Sequence, residues 1–240
     1  RKGSSGGFGN WIAAQLFKED LVDGIIHVKS TDDDDMMFEY QVSSSIDELK
    51  KGSKSKYYPI EMSRVIQFVK ENDGRYALVG IPCFLKAVRL LAQQDKLISE
   101  RIKFFIGLVC GHLKSDMFAK SMGWQLGIEP HVNGEELTLS SPTKDLYTTN
   151  WGLGFFKYNA CDFCDDVLAE TADITVGDAW LPDYTNDSKG TNVIVVRNPI
   201  IHKILEEARN EKIYLEELSS EKVYQSQAGG FRHRRDGLAY

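Results

Sequence analysis

The sequence lacks long apolar runs, a basic character and any abundance of cysteine. No apolar stretch approaches the roughly 20 residues that span a bilayer, so the sequence offers no candidate for a membrane-spanning helix. Residues 1–7 lack the apolar core of a signal peptide, and we expect a cytoplasmic protein. The 29 Lys and Arg residues against 35 Asp and Glu residues make the chain mildly acidic, which argues against a nucleic-acid partner.

The few cysteines that are present carry the main functional signal. Cys83 and Cys110 stand alone, whereas Cys161 and Cys164 form a CxxC pair. In a reducing compartment, four cysteines argue against a disulfide framework and favour a metal or redox role. The sequence therefore directs attention to where these four thiols lie in the fold.

Each of the first two cysteines follows a short apolar run that predicts a buried strand. Residues 76–82 precede Cys83, residues 104–109 precede Cys110, and an amphipathic segment follows each cysteine. This repeated order of strand and helix predicts parallel strands, whose carboxyl ends lie at one edge of a sheet, where ligands bind. We expect the two thiols to meet there, with the CxxC pair arriving on a loop. Four thiolates suit either tetrahedral zinc or an iron-sulfur cluster.

The remaining patterns predict an α/β fold with a mixed, largely parallel sheet flanked by helices. A β-rich insertion at about 126–158 precedes the CxxC loop, because that stretch is rich in Gly, Pro, Asn and Thr. We expect a single domain over 1–240, either undivided or in two lobes at about 1–75 and 76–240. The other predicted strands are 25–28, 38–42, 174–176, 193–196 and 213–215, and the predicted helices are 8–19, 62–69, 85–91, 115–125, 200–210 and 219–224.

Three segments contain residue types that suit an anionic cofactor. Residues 4–7 (SSGG) precede a predicted helix, so they either surround a phosphate with amides and hydroxyls or form a simple N-cap. Residues 50–58 combine lysines, hydroxyls and tyrosines, which suit an anionic planar cofactor, although an exposed basic loop is the alternative. Residues 229–235 offer arginines and glycine amides for a pyrophosphate, with a solvated tail as the equal alternative.

A fourth segment, residues 177–180 (GDAW), follows a predicted strand and would lie at the same sheet edge as the thiols. Asp178 is expected either to contact a cofactor or to hydrogen-bond turn amides. Trp180 is expected either to contribute to the same site or to cap the core. The pattern alone does not choose between these structural and functional roles.

Several of these motifs, in this order, resemble the coenzyme F420 hydrogenase/dehydrogenase beta-subunit family, and the thiol contexts are similar to those of its bacterial-type members. The matching motifs are SSGG at 4–7, GSKSKY at 52–57, GIPC at 80–83, LVCGH at 108–112, CDFC at 161–164, ADITVGDAW at 172–180 and QAGGFRHRR at 227–235. The resemblance extends almost from end to end. Four ordered cysteine contexts in one chain make it specific.

The resemblance implies an oxidoreductase that is a flavoprotein with FAD and one 4Fe-4S cluster. It would move electrons between a reduced carrier, coenzyme F420 or ferredoxin, and an unidentified substrate or partner subunit. The flavin would perform the hydride step, and the cluster would relay single electrons. Family members usually carry a further N-terminal segment, often with its own cysteines, which we expect to be absent from this chain.

The resemblance also assigns the site residues. The implied cluster ligands are Cys83, Cys110, Cys161 and Cys164. FAD phosphates are expected near Ser4, Ser5, Gly6 and Gly7, the ring near Lys54, Lys56 and Tyr57, and further cofactor contacts at Gly177, Asp178, Arg232 and Arg235. Lys56 and Asp178 are the candidate catalytic residues. Two other functions remain open: a zinc-stabilised binding module without catalysis, and an electron-transfer subunit that reduces no small substrate without its partner.

Overall fold

The computed structural model describes residues 7–31, 36–53, 56, 58–125, 154–187, 189–209 and 211–237. Six strands form one sheet: β1 (Gly24–Ser30), β2 (Phe38–Ser43), β3 (Tyr76–Gly80), β4 (Ile102–Leu108), β5 (Ile174–Asp178) and β6 (Asn192–Val196). Their order across the sheet is β2-β1-β3-β4-β5-β6. Strands β1, β3, β4 and β5 run parallel, and β2 and β6 pair antiparallel at the two edges. The prediction of a mixed, largely parallel sheet is confirmed.

The helices connect these strands and lie on both faces of the sheet. They are α1 (Phe8–Lys18), α2 (Ile46–Lys51), α3 (Ser63–Glu71), α4 (Pro82–Gln94), α5 (Lys96–Arg101), α6 (Asp116–Gln125), α7 (Pro182–Thr185), α8 (Pro199–Ala208), α9 (Ser220–Ser226) and α10 (Ala228–Phe231). A 3₁₀ turn spans Asn159–Phe163, and a π-helical turn spans Arg232–Asp236. Among the described residues, no helix has the length and apolar content needed to cross a membrane.

Alternate side chains of the sheet divide the core into two layers. In β4, Phe104 and Ile106 lie in one buried cluster and Phe105 lies in the other, as expected when successive strand residues point to opposite faces. Helices α1 and α8 supply Ile12 and Ile201 to the first cluster. Helices α3, α4 and α5 cover the opposite face. The sheet is therefore buried on both sides, and its strand ends are the places left for a site.

The segment around Cys83 differs from the prediction. We expect a strand over 76–82 that runs up to this cysteine, but β3 ends at Gly80 and Cys83 lies in the first turn of α4. Pro82 starts the helix three residues earlier than predicted, because its fixed φ suits the first helical turn and its missing N–H costs nothing there. The thiol consequently lies beside the amides of a helix N-terminus.

One predicted strand is wrong, and one predicted region falls largely outside the described residues. At 213–215, Ile213 forms only an isolated bridge with Arg209. Its apolar pattern arises because Ile213 and Leu215 pack against the core while Tyr214 is exposed. Of the expected β-rich insertion, 126–153 lies outside the part of the chain that the structure describes. The two-lobe division stays a prediction, and β1 and β3, one from each expected lobe, pair directly.

We predict that Gly107→Ala destabilises the sheet by about 1–3 kcal/mol. Gly107 lies opposite Thr175, and an added Cβ would come 2.4 Å from the Cβ of Ala169 and 2.9 Å from that of Ala172. The matched control is Gly9→Ala in α1, where an added Cβ meets nothing within 4 Å and should stabilise the helix by about 0.5–1 kcal/mol. Urea unfolding measures both. Equal stability of Gly107→Ala and wild type would contradict the predicted crowding.

Candidate thiol and cofactor site

All four cysteines line one cavity of about 270 Å³. Two of them follow neighbouring parallel strands: Cys83 comes after β3, and Cys110 lies two residues beyond the end of β4. Cys161 lies in the 3₁₀ turn and Cys164 directly follows it. The rest of the lining is Pro59, Ile60, Ile81, Pro82, Leu113, Tyr158, Ala160 and Arg234. The sheet thus brings together cysteines that are distant in sequence.

Backbone hydrogen bonds hold the CxxC segment against the chain that follows β4. The amide of Tyr158 donates to the carbonyl oxygen of Leu113 at 3.2 Å, and the amide of Cys161 donates to the carbonyl oxygen of Tyr158 at 2.9 Å. On the other side, the amide of Cys110 donates to the carbonyl oxygen of Val167 at 3.1 Å. These bonds hold the backbone segments that carry Cys110 and the CxxC pair next to each other.

Hydrogen-bond donors point at the sulfurs. The amide of Leu113 donates to Cys161 Sγ at 3.3 Å. The Arg234 guanidinium donates to Cys164 Sγ at 2.8 Å and to Cys110 Sγ at 3.6 Å. Donors of this kind favour negatively charged sulfur, the form that binds metals.

Burial opposes this charge. Desolvation raises the pKa of Cys110 to about 12, although the nearby Arg234 cation acts in the opposite direction. Burial also raises the pKa of Cys83, and the nearby Cys164 raises it by a smaller amount, while the amide of Phe84 lowers it. Cys83 is exposed as a residue even though its thiol lines the cavity. A bound cationic group would favour the thiolate form of Cys83 and Cys110, and binding such a group would release their protons.

Arg234 is a buried arginine that the sequence analysis missed. It is 2% exposed, and its Nε and Nη2 donate to the carbonyl oxygen of Gly111 at 2.9 and 2.6 Å. The motif directed attention to Arg232 and Arg235 instead. Arg232 is exposed, and Arg235 donates to the carbonyl oxygen of Asp165 and pairs with Glu170. Phe231 was the available signal: it is buried, and a residue three positions later shares its helical face.

A second group of residues meets where α1 begins. Asn10 Nδ2 donates to Ser53 Oγ at 3.0 Å, which joins α1 to the loop after α2. The amide of Phe8 donates to Asn192 Oδ1 at 3.2 Å, and Asn192 Nδ2 donates to the carbonyl oxygen of Gly177 at 3.2 Å. Gly7, with φ of 81°, precedes the helix. The structure thus brings the first turn of α1 close to Ser53 and, through Asn192, to the end of β5, where Gly177 and Asp178 lie.

Of the other residues predicted to contact FAD, Ser4, Ser5, Gly6, Lys54 and Tyr57 lie outside the described residues. The carbonyl oxygen of Asp178 accepts a hydrogen bond from Gln227 Nε2 at 2.7 Å. Trp180 is 65% exposed and does not cap the core.

Gly177 connects the two groups of residues. A Cβ at this position would come 2.3 Å from Val109 Cγ2, so the end of β5 approaches the residue before Cys110 more closely than a side chain permits. The amide of Val109 also donates to the carbonyl oxygen of Val176 at 2.9 Å. The end of β5 is therefore fixed next to one wall of the thiol cavity.

Lys56 lies over the strands β1 and β2. Its Nζ is 5.5 Å from the ring centroid of Phe38. Burial, together with the smaller effects of the Lys29 and Lys56 cations, lowers the pKa of His27 in β1 to about 4. The loop is held close there, because an added Cβ at Gly52 would come 2.4 Å from His27 Cε1.

A second cavity, of about 240 Å³, adjoins the thiol cavity. Its lining is Met36, Phe38, Glu39, Tyr58, Pro59, Ile60 and Glu61. Pro59 and Ile60 line both cavities, so they form a shared wall. The Phe38 and Tyr58 rings meet edge to face at 5.9 Å. An aromatic group bound in the second cavity would thus be separated from the thiols by this wall.

Within the described ranges, no three histidine, cysteine, aspartate or glutamate side chains form a ready site for a metal ion. The donor set nevertheless fits a four-thiolate centre, because all four sulfurs line one cavity and donors already point at several of them.

Comparison with protein families identifies the class to which the fold and thiols belong. Residues 1–67 match the N-terminal model, and residues 73–221 the C-terminal model, of the coenzyme F420 hydrogenase/dehydrogenase beta subunit. The chain belongs to this family, as its motifs predicted.

The chain is similar to a curated relative and to a solved structure, both from the genus Methanosarcina. The relative is a subunit of the F(420)H(2) dehydrogenase of Methanosarcina mazei, 24% identical over 234 residues, and the match covers 88% of this chain and 61% of that protein. The chain thus spans about three fifths of that relative's length. A chain of the F420-reducing [NiFe] hydrogenase complex from Methanosarcina barkeri superposes with a TM-score of 0.72 at 15% identity, covering 99% of this chain and 86% of that one. This second likeness confirms the fold.

We predict that His27 makes the protein less stable as the pH falls from about 6.5 to 4. In that window the unfolded chain binds a proton at His27 and the folded chain does not. The lowered pKa therefore reduces the free energy of unfolding by about 3 kcal/mol in acid. In His27→Gln, which retains a donor toward Ser43 Oγ, this part of the pH dependence should disappear. Urea unfolding at several pH values measures it. Parallel pH profiles for the two proteins would refute the assignment.

Proposed function

We propose that this chain is a flavin-dependent iron-sulfur oxidoreductase subunit. It holds one 4Fe-4S cluster through Cys83, Cys110, Cys161 and Cys164, and it binds FAD where α1 begins. Electrons pass between a reduced carrier, coenzyme F420 or ferredoxin, and a partner subunit or substrate. The observation that carries the proposal is the position of all four cysteines around one cavity.

The cavity's size favours a cluster over a single ion. Its volume of about 270 Å³ is many times the roughly 30 Å³ of one water molecule, whereas a four-thiolate zinc site is closed around one ion. Hydrogen bonds to the sulfurs are also a means by which proteins tune cluster potentials. A structural zinc site uses the same four ligands and is the competing function.

The proposed FAD site rests on the segments that meet at α1. The amide of Phe8 donates to Asn192 Oδ1, so the amides that follow it in this 11-residue helix are the ones that attract anionic phosphate, and Gly7 leaves room for close approach. Ser53 and Asp178 lie on the neighbouring segments as hydrogen-bonding groups for the rest of the cofactor. Lys56 supplies a cation, and the second cavity supplies the aromatic rings of Phe38 and Tyr58.

The protein's part in the reaction is binding and orientation. When bound, flavin supplies hydride chemistry and the cluster supplies one-electron transfer. The shared wall of Pro59 and Ile60 keeps a group in the second cavity close to the thiols and separates it from them. Asp178 orients a cofactor amide or hydroxyl, and Lys56 offsets negative charge on the reduced ring.

A partner subunit has exposed apolar groups to contact near this site. Phe163, between the two cysteines of the CxxC pair, is 80% exposed, and Trp180, after β5, is 65% exposed. Aromatic residues of this kind are frequent anchors in protein interfaces. The relatives' names, a dehydrogenase subunit and a hydrogenase complex, support an assembly in which this chain is an electron-transferring component.

We predict that Ser replacement of Cys83, Cys110, Cys161 or Cys164 lowers bound iron and sulfide, because a hydroxyl is a poor ligand for iron-sulfur clusters. Iron and acid-labile sulfide are measured on anaerobically purified protein. Leu90→Ser, on the exposed face of the same helix as Cys83, is the matched control and should retain both. Any single cysteine variant with full iron and sulfide would remove that residue from the site.

We predict that Lys56→Glu weakens flavin retention about tenfold and lowers the flavin's reduction potential, because a charge-assisted contact is replaced by repulsion. The flavin is quantified after gel filtration, and its potential is measured by dye-coupled titration. Lys96→Glu, an exposed lysine that pairs with Glu100 in α5, is the charge-matched control and should change neither. Unchanged retention and potential in Lys56→Glu would place the ring elsewhere.

A further inference from the structure

Arg234 is one of the largest fully buried side chains described. It lies in the π-helical turn after α10 and is the charged residue in the lining of the thiol cavity. Its guanidinium donates to Cys164 Sγ and Cys110 Sγ, which come from two separate parts of the chain. Burying a cation here is costly unless an anion accompanies it.

The guanidinium is fixed by backbone carbonyl groups. Besides its two bonds to Gly111 O, its Nη1 donates to the carbonyl oxygen of Asp166 at 3.2 Å. Carbonyl oxygens carry only partial charge, so they orient the guanidinium without neutralising it. The remaining donor capacity is directed at sulfur, and the planar fork allows two sulfurs to be reached at once.

We propose that Arg234 is a positioning residue of the thiol site that raises the reduction potential of the cluster and stabilises its thiolate ligands. This inference rests on the proposed function, because it takes the bound group to be an iron-sulfur cluster. Reduction adds one electron, and hence one negative charge, to the cluster. A fixed cation in a low-dielectric cavity stabilises the reduced form more than the oxidised form, so the potential rises.

Arg234 also connects the cluster to the C-terminal helices. In the preceding turn Gln227 donates to the carbonyl oxygen of Asp178, at the proposed FAD site. The segment from Gln227 to Arg234 therefore contacts both proposed cofactor sites. Movement of this segment would change the position of the cation relative to the sulfurs.

The test compares Arg234→Gln, which removes the charge, with Arg234→Lys, which keeps it but loses the fork. The control is Arg197→Gln: Arg197 is exposed as a residue, but its guanidinium also donates to backbone carbonyls, at Ala169 and Ala172, and contacts no thiol among the described residues. A redox titration of reconstituted protein with dithionite, followed by electron paramagnetic resonance, gives the potential.

In Arg234→Gln, the ratio of oxidised to reduced cluster at the wild-type midpoint should rise at least tenfold, which corresponds to 59 mV for a one-electron couple. The midpoint potential of Arg234→Lys should lie between those of Arg234→Gln and wild type, and that of Arg197→Gln should equal the wild-type value. A wild-type potential in Arg234→Gln would overturn the proposal.

A second readout needs no cluster. In metal-free folded protein at fixed pH, alkylation of Cys164 by iodoacetamide is compared by mass spectrometry with that of Cys161, which receives its hydrogen bond from Leu113. Arg234→Gln should slow the alkylation of Cys164 severalfold relative to that of Cys161, because the Cys164 thiolate loses the hydrogen bond from the guanidinium. If Arg234→Gln does not fold, Arg234→Lys is used in its place and should show a smaller slowing.

An unchanged ratio of alkylation rates would overturn the role of Arg234. Wild-type protein that takes up zinc and no iron would instead contradict the proposed function, and the alkylation ratio would still decide whether Arg234 stabilises the thiolates. The two failures are therefore distinguishable.

Discussion

The structure depends on one constraint: four thiols must surround a single cavity, where burial disfavours the charged form of two of them, Cys83 and Cys110. Burial raises the pKa values of Cys110 and Cys83, so the cavity by itself favours neutral thiols. Arg234 acts against this effect at Cys110, to which its guanidinium donates, and the amide of Leu113 donates to Cys161 Sγ. A bound metal group would stabilise the thiolate form, because it requires thiolate ligands and supplies positive charge.

The sheet explains why the four thiols lie together at one place. Parallel β3 and β4 bring Cys83 and Cys110 to the same edge, and hydrogen bonds around Tyr158 attach the CxxC segment to the chain after β4. The neighbouring end of β5 is held close by Gly177, whose missing side chain lets the backbone approach Val109. Both proposed cofactor sites therefore depend on the same strand ends, which keeps them adjacent.

Much of this arrangement was predictable because it follows from local patterns. The apolar runs located β3, β4, β5 and β6, helical spacing located α3, and the other helix patterns located α1, α6 and α8 within a few residues. The predicted strand at 213–215 failed because apolar alternation also occurs where a chain packs on a core without pairing. The start of α4 was misplaced because the helix-starting role of Pro82 was overlooked.

The contribution of Arg234 could not be read from composition. The run RHRR offers three arginines of equal chemistry, and only the packing of Phe231 decides which one faces inward. Exposed Arg232 and surface-paired Arg235 looked the same in sequence. The partners of Arg234 are the backbone carbonyls of Gly111 and Asp166 and the sulfurs, which lie far away in the chain. The spacing from Phe231 indicates which arginine faces inward, but these long-range partners depend on tertiary structure and cannot be named from the local sequence.

The central claim is that the four thiols hold an iron-sulfur cluster rather than a structural zinc ion. The most direct measurement is metal analysis of the wild-type protein, purified without oxygen, together with its visible spectrum before and after dithionite. The account predicts iron and acid-labile sulfide in equal amounts and a broad visible absorption that dithionite bleaches. Colourless protein that contains zinc and neither iron nor sulfide would contradict it.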